Sequence, residues 1–342
     1  MTDTVSRARP GIDLGGRISM AAVAPFIALA ILFVVGAFVS ESFFTYANLM
    51  NVMTRSAFIA IIAVGGTFVI SAGGLDLSVG SMSAFVAALT ILFMNAGMFG
   101  SGVVMIAIAM LLALGIGAGS GLANGLIVTV GRIEPFIATL GTMGIFRGLT
   151  TWLSQGGSIT MKSMELRDAY RPVYFGNVFQ FQLGSTDVYL PIPVVIILAM
   201  AALGAFVFYR TPFGRHVIAV GSNEEVARYS GIPVSRVRTI TYIIQGICVA
   251  VAVIVYVPRL GAATATTGLL WELQAITAVV IGGTALRGGV GRIWGTICGA
   301  FILEIVGNLM LLSNFISEYL IAAIQGAIII IAMLVQRSLM RR

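Results

Sequence analysis

The residues able to do chemistry are few and scattered. The chain of 342 residues has one histidine (His216), one lysine (Lys162) and two cysteines (Cys248 and Cys298). A single histidine excludes an HExxH or multi-histidine metal centre. The cysteines sit far apart in apolar runs without CxxC spacing, where thiols act as small buried hydrophobes. A nucleotide-binding P-loop needs Gly-x-x-x-x-Gly-Lys-Ser/Thr, and Lys162 lies in "TMKSM". The sequence therefore predicts no catalytic residue, no metal site and no cofactor bound by this chain. What remains is a handful of ionisable residues inside otherwise apolar sequence: Asp76, Glu134, Arg147, Glu272, Arg287 and Glu304. At the centre of a membrane helix such a residue costs about 2.5–3.5 kcal/mol, so it must face protein or water.

Each of these groups suggests a local arrangement. Arg147, in "GIFRGLT", has no acid four residues away, which predicts an ion pair to another helix. Glu304, in "FILEIVGNLM", either pairs across a bundle or lines a path. Glu134 precedes Pro135 and suits the start of a helix. In "GGLDLSVGS" (73–81), Gly73 and Gly74 end one helix, and Asp76 or Ser78 caps the next. "VGGTFVISAGGLDLSVGS" aligns without gaps on "AVVIGGTALRGGVGRIWG" when Ile70 is set on Ile281. That register matches Leu75, Val79 and Gly80 with Leu286, Val290 and Gly291, and places Asp76 opposite Arg287. On this reading the two are counterparts in an internal repeat with broken helices, and they pair near the inner mouth.

The elements that position these residues follow from composition. The chain is 58% hydrophobic and 10% charged, with mean hydropathy +1.03; soluble domains are about 25% charged. Long apolar runs without period-two alternation indicate membrane helices and not a β-barrel. Hydropathy and breaks give ten spans, at about 18–39, 57–72, 79–96, 102–123, 135–153, 191–209, 239–257, 273–284, 294–312 and 317–336. The eighth is short, as a half-helix or re-entrant segment would be. The first follows Arg7, Arg9 and Arg17 like a signal peptide, but "SESFFTYANLM" after it is no cleavage site, so it is read as a retained span. With the N-terminus inside, fourteen of the twenty basic residues fall on the inner side and five (Arg55, Lys162, Arg167, Arg171, Arg259) on the outer side. That asymmetry accounts for the +7 net charge without nucleic-acid binding.

The predicted fold class is thus an all-α integral membrane protein of about ten transmembrane helices. One or two segments are broken or re-entrant, and both termini are cytoplasmic. A tail (1–17) precedes a single transmembrane domain (18–336), and a basic tail (337–342) follows it. The domain carries an outer segment at 155–190 and an inner loop at 210–238. In that loop, "SNEEVARYSGIPVSRVR", Ser222 or Asn223 caps a short helix with Glu224 and Glu225 in its first turn, and Gly231 and Pro233 stop it. From the residues alone, a docking lever and an ordinary solvated connection both remain open.

"EVARYSG" resembles the EAA-x-x-x-G signature of binding-protein-dependent ABC importer permeases, with Glu225, Ala227 and Gly231 in register and Val226 replacing the middle alanine. "GGLDLSVGS", "EPFIATLGTMGIFRGLT" (134–150) and "VVIGGTALRGGVGRIWGT" (279–296) are similar to other blocks of the ribose/xylose/galactose-type sugar permeases, over about residues 45–335. The resemblance implies an inner-membrane permease subunit that translocates a monosaccharide or related polyol. It implies three partners: a second permease copy (homo- or heterodimer), a cytoplasmic ABC ATPase that binds ATP and Mg, and a periplasmic sugar-binding protein. Arg215, His216, Glu224, Glu225, Ala227 and Gly231 would form the ATPase-coupling loop, and Gly73, Gly74, Asp76, Ser78 and Arg287 a gating or structural motif. A neutral, hydroxyl-rich substrate wants weak polar contacts, for which the candidates are Asn124, Thr139, Thr142, Gln245, Asn308 and Gln325. These side chains serve equally as helix–helix hydrogen bonds, and "GIGAGSGLANG" (115–125) reads first as close packing. The competing functions are a permease for branched-chain amino acids or nucleosides, an ion-coupled secondary transporter, and a membrane scaffold without transport.

Overall fold

The computed structural model describes residues 20–313 except 99, 101 and 185, and a few positions between 320 and 330. The predicted tails, Gln325 and most of the tenth predicted span lie outside the described residues. In chain order the elements are α1 (Met20–Val39), α2 (Tyr46–Arg55), α3 (Ala57–Ser71), α4 (Val79–Ala96), α5 (Val103–Thr129) and α6 (Pro135–Leu153). There follow β1 (Ser158–Thr160), α7 (Met164–Tyr170), α8 (Pro172–Phe175), β2 (Asn177–Leu183) and β3 (Thr186–Pro191). The remainder comprises α9 (Ile192–Arg210), α10 (Pro212–Ser222), α11 (Glu224–Tyr229), α12 (Val234–Leu260), β4 (Ala262–Thr264), α13 (Trp271–Ile281) and α14 (Ile293–Ser313).

Among the described residues, α4, α5, α9, α12 and α14 are long and apolar enough to cross a bilayer, and α2 and α3 together make a sixth such segment, bent by 45°. The fold is thus mostly helical and multi-pass. The predicted boundaries 79–96 and 135–153 coincide with α4 and α6. Although 19 residues long, α6 carries Arg147 and four threonines, which lower its hydropathy. The short eighth span is α13, whose 11 residues reach about 16 Å, half of the roughly 30 Å hydrocarbon core. Residues 46–55, expected as an outer connection, are instead helical. Thr45 caps them by accepting from the Asn48 N–H at 3.3 Å.

The centre of the bundle is α3. Every residue of "AFIAIIAVGGTFVIS" except Gly66 is buried, because α9, α12, α13 and α14 surround it. Hydropathy alone makes it look like a lipid-facing span, since a helix apolar all round suits lipid and protein interior alike. The helix packed most closely on α12 is α5. A Cβ at Gly121 would overlap the Tyr242 carbonyl, and one at Gly246 would overlap that of Gly117. Gly117, Gly121 and Gly125, four residues apart on one face of α5, thus bring two backbones together, as the small-residue run predicted.

The two ends of the bundle differ in construction. At one end β1 pairs antiparallel with β4 (Ile159 opposite Ala263), and Asn95 at the end of α4 ties into the ladder through Thr160 and Lys162, both at 2.8 Å. Tyr170 donates to the Ile254 carbonyl at 2.9 Å, and burial raises its phenol above the usual range, so it stays a neutral donor. Arg171 lies over Phe175 and Arg259 over Tyr174. The β2–β3 hairpin closes this end, with Tyr46 donating to the Tyr189 carbonyl at 2.6 Å. The segment 155–190, read from sequence only as a mixed loop, therefore has defined structure. At the opposite end lie α10, α11 and the breaks after α3 and α13.

Candidate functional site

The chain breaks at 72–78 and 282–292 are where the helical bundle departs from continuous spans. Both begin with the same cap. After α3, Gly73 (φ 78°) donates to Ile70 O and Gly74 to Val69 O, each at 2.9 Å. After α13, Gly283 (φ 86°) donates to Val280 O at 2.9 Å and Thr284 to Val279 O at 3.2 Å. This is the Schellman pattern, which satisfies the last carbonyls of a helix. It sets Gly73 on Gly283, one residue away from the ungapped alignment, and the second break is longer than the first. The ungapped register that opposes Asp76 to Arg287 is therefore not the structural one. Nor does an ion pair join Asp76 to Arg287 among the described residues.

Asp76 instead anchors the first break. Its Oδ1 accepts from the Ser78 amide at 2.9 Å and from the Ser78 hydroxyl at 2.6 Å, so the aspartate and not the serine side chain holds the entry to α4. Asn124 of α5 donates to Ser78 Oγ at 2.8 Å and, weakly, to the Asp76 carboxylate at 3.4–3.5 Å. Thr139 of α6 accepts from the Leu77 amide at 3.1 Å, and Tyr242 of α12 donates to Leu75 O at 3.1 Å. Three helices thus pin one extended stretch whose amides and carbonyls have no helical partners of their own. Among the other polar candidates, Thr142 bonds within α6 to Thr139 O, and Asn308 exchanges amide bonds with Asn48 at 2.9 and 3.1 Å. Gln245 is buried against Gly65, with its Oε1 unpaired among the described residues.

Two charged groups at membrane depth find partners in different ways, whereas Glu272 Oε2 is buried with no hydrogen-bond partner among the described residues. Glu304 pairs across the bundle with Arg55 at 3.3 Å. Arg147 was expected to form an ion pair; it donates instead to the carbonyls of Ala265 and Thr267. The reason is local. The irregular segment between β4 and α13 presents carbonyls that no regular element satisfies, and guanidinium offers five donors to them.

The loop after α9 forms the surface of this end. Asn223 caps α11 by accepting from the Val226 amide at 3.0 Å. Ile232 donates to Ala227 O and Gly231 to Arg228 O, both at 3.0 Å, with Gly231 at φ 78°. A residue other than glycine is strained in that left-handed cap. Glu224 bridges Arg228 at 2.7 Å and Arg238 at 2.8 Å, fastening α11 to the start of α12. Arg215 is exposed and His216 half-buried on α10, and Glu225 is exposed on α11. Ala227 is buried at 3% and packs the helix inward, while Val226 and Tyr229 stand out at 59% and 90% exposure. These two were missed from sequence. The available signal was that 225, 226 and 229 share the helix face opposite Ala227.

The end of α10 joins the loop to the breaks. A Cβ at Gly221 would overlap the Ser71 carbonyl and lie 2.6 Å from the Gly289 amide. Gly289 N–H in turn donates to Ser71 O at 3.0 Å. At Gly288 a Cβ would come within 3.0 Å of the Cα atoms of Gly221 and Gly73. The loop helix and both chain breaks thus meet backbone to backbone at one point. Arg287 lies beside this junction in sequence.

Similar proteins give this architecture a context. The ribose import permease protein RbsC of Bacillus subtilis is 39% identical over 93% of this chain and 94% of its own length. The D-allose transport system permease protein AlsC of Escherichia coli is 32% identical, over 91% and 90%. The galactofuranose transporter permease protein YtfT of Escherichia coli is 32% identical, over 86% and 80%. These are names of transport components and not of enzymes. Residues 48–333, which include both chain breaks and the α10–α11 loop, match the family described as branched-chain amino acid transport system / permease component, and the chain belongs to that family.

Proposed function

We propose that this chain is the membrane-spanning permease subunit of an ABC importer that carries a monosaccharide or related polyol across the bacterial inner membrane. The observation that carries the mechanism is the junction at Gly221, where α10 rests directly on both broken-helix caps. In this reading α11 docks on a cytoplasmic ATPase, with Val226 and Tyr229 as its contact face and Glu225 beside them. Nucleotide-driven closure of the ATPases displaces α10–α11 as a rigid body. Because α10 meets the breaks through glycine backbone, the displacement passes to the ends of α3 and α13 without loss in flexible side chains. The breaks are where the bundle can bend, since no helical ladder spans them and the first is held by side-chain ties from α5, α6 and α12. ATP and Mg belong to the ATPase, and affinity for the sugar to a periplasmic binding protein.

The topology of this proposal has ten spans and both termini in the cytoplasm. It is supported by the bias of basic residues in the sequence, fourteen in the predicted inner segments against five in the outer ones. Arg55, Arg167, Arg171 and Arg259 gather at the β1–β4 end, and Arg132, Arg228, Arg236 and Arg238 at the α11 end. A second permease copy, identical or homologous, completes the path. Asn124, Thr139, Thr142, Gln245 and Asn308 then act first as ties that hold the breaks and helices in place, and contact sugar only as the two copies separate. A sugar is favoured over a branched-chain amino acid or a nucleoside by the ribose, allose and galactofuranose named for the relatives. The test is reconstitution of this chain with its ATPase and binding protein in liposomes. ATP hydrolysis stimulated by the binding protein over a panel of pentoses, hexoses and polyols, with accumulation of one of them, supports the proposal. Uptake by the chain alone driven by an ion gradient refutes it in favour of a secondary transporter.

A further inference from the structure

A cavity of about 200 Å³ lies where α13, the helix too short to cross the bilayer, begins. Its wall is drawn from three helices: Ser56 and Phe58 at the start of α3, Trp271 and Gln274 in the first turn of α13, and Ala300 and Glu304 in the middle of α14. One side is aromatic. Phe58 stacks on Trp271 with ring centroids 4.8 Å apart, and Tyr256 packs edge-on against Trp271, also at 4.8 Å, so the indole is fixed in place. The other side offers a hydroxyl, an amide and a carboxylate. Ser56 gives its proton to Met53 O at 2.8 Å and can still accept, and Glu304 has Oε1 on Arg55 at 3.3 Å. Glu304 thus both pairs across the bundle and lines the cavity, and its pairing leaves the wall without net charge. The bridge is partly exposed and marks the mouth, at the β1–β4 end.

At about 30 Å³ per molecule the space would hold roughly seven waters, and a gap that holds only water needs no ligand. Trp271 separates this cavity from that case. The residue is 7% exposed, yet its indole N–H makes no hydrogen bond among the described residues. Nor is that nitrogen one of the fully enclosed polar atoms that lack a partner, so it reaches open space, and the space Trp271 lines is the cavity. A buried indole N–H ordinarily finds an acceptor. Water can accept from it but leaves the aromatic wall wet, whereas a ring of C–H groups covers that wall.

We propose, on the reading of this chain as a sugar permease, that the cavity is a subsite for one monosaccharide entering from the β1–β4 end. A sugar oxygen accepts from the Trp271 N–H, sugar hydroxyls donate to Glu304 and Ser56, and the Gln274 amide can do either. The sugar C–H groups lie against Phe58 and Trp271. A disaccharide or a nucleoside exceeds the volume. A zwitterionic amino acid needs a cation that the wall does not present, because Arg55 is taken by Glu304. The placing at the start of a discontinuous helix is where transporters commonly hold their substrates.

The test uses the full chain in nanodiscs, in the W152F/W294F background. Both replaced residues are exposed, and Trp271 is then the only one of the three tryptophans left to emit. D-Ribose or D-allose should change its emission saturably and shield it from acrylamide, whereas sucrose, uridine and L-leucine should not. Ala300→Val narrows the cavity and should weaken the response by about tenfold, more for the hexose than for the pentose. In the reconstituted importer, Trp271→Phe keeps a ring and loses the N–H. It should lower maximal uptake by about fivefold while ATP hydrolysis stimulated by the binding protein is retained. Ala300→Val should raise the ratio of pentose to hexose uptake, which a loss of stability alone would not do. The emission measurement leaves the wall unaltered, so it decides the question even if Ala300→Val fails to fold. No saturable change with either sugar, or one that a folded Ala300→Val leaves intact, overturns the subsite; ATP-driven sugar uptake by the same importer would then leave the permease reading standing. A response to L-leucine in place of the sugars overturns both.

Discussion

Replacing Gly221 by alanine tests the proposed transmission of force most directly. The added methyl would overlap Ser71 O and stand 2.6 Å from Gly289 N, about 1 Å inside the ~3.5 Å optimum for such atoms. Neither neighbour is a flexible side-chain tip; both are backbone, so α10 must retreat. Retreat lengthens or breaks nothing within α10 itself, but it opens the three-way contact among Gly221, Ser71 and Gly289. Forced insertion of a methyl into packed backbone costs about 1–3 kcal/mol. Strain on the 3.0 Å bond from Gly289 to Ser71 adds about 1 kcal/mol. A loss of about 2–4 kcal/mol at a junction, against a bundle held elsewhere by α3 and α12, should leave the protein folded but loosely coupled. The assay is sugar transported per ATP hydrolysed in the reconstituted importer, alongside thermal unfolding. The expected result is a fall in transport of about tenfold or more with basal ATP hydrolysis largely retained. Gly119→Ala, at a helical position where a Cβ meets nothing within 4 Å, serves as the control and should be neutral or slightly stabilising. If Gly221→Ala transports like the parent at unchanged stability, the junction does not transmit the movement.

Three further outcomes follow from the same geometry. Gly231→Ala meets no steric obstacle but must hold φ 78°, so it should cost α11 about 1–2 kcal/mol and lower transport, and Gly231→Asn should recover part of both in parallel measurements of unfolding and uptake. Tyr229→Ala and Val226→Arg lie on the exposed face, so they should leave the unfolding temperature within about 1 °C while weakening co-purification of the ATPase about tenfold; loss of stability without loss of association would count against that face as the docking surface. Glu304→Gln should destabilise the chain by about 1–2 kcal/mol by leaving Arg55 without its partner, and Arg55→Met in the same molecule should restore most of it, as read from a double-mutant cycle on thermal unfolding.

What the sequence determined was set by local rules. A composition too apolar for a water-facing surface specified membrane helices. Breakers placed the ends of α4 and α6, and the length of α13 betrayed a helix too short to cross. Asn223, Glu224 and Gly231 announced α11 because caps depend on neighbours in the chain. The small-residue run on α5 announced a close helix contact, though not which helix would supply it.

The tertiary structure decided the rest, for a physical reason common to membrane proteins: lipid and protein interior are equally apolar, so hydropathy cannot tell which faces are covered. Thus α1 and α3 read alike in sequence, yet α3 is enclosed on all sides while α1 packs mainly on α14. Arg147 finds carbonyls 118 and 120 residues away in place of a carboxylate, a choice that depends on where an irregular segment has unpaired oxygens. The register between the two breaks is fixed by helix-capping bonds and differs by one residue from the best match of letters. The two faces of α11 are told apart only by the packed bundle, with Ala227 inward and Tyr229 outward. Most of all, Ser71, Gly221 and Gly289 lie far apart in the chain and meet only because three helix ends converge. Their glycines mark a close approach, but only the packed bundle shows what approaches.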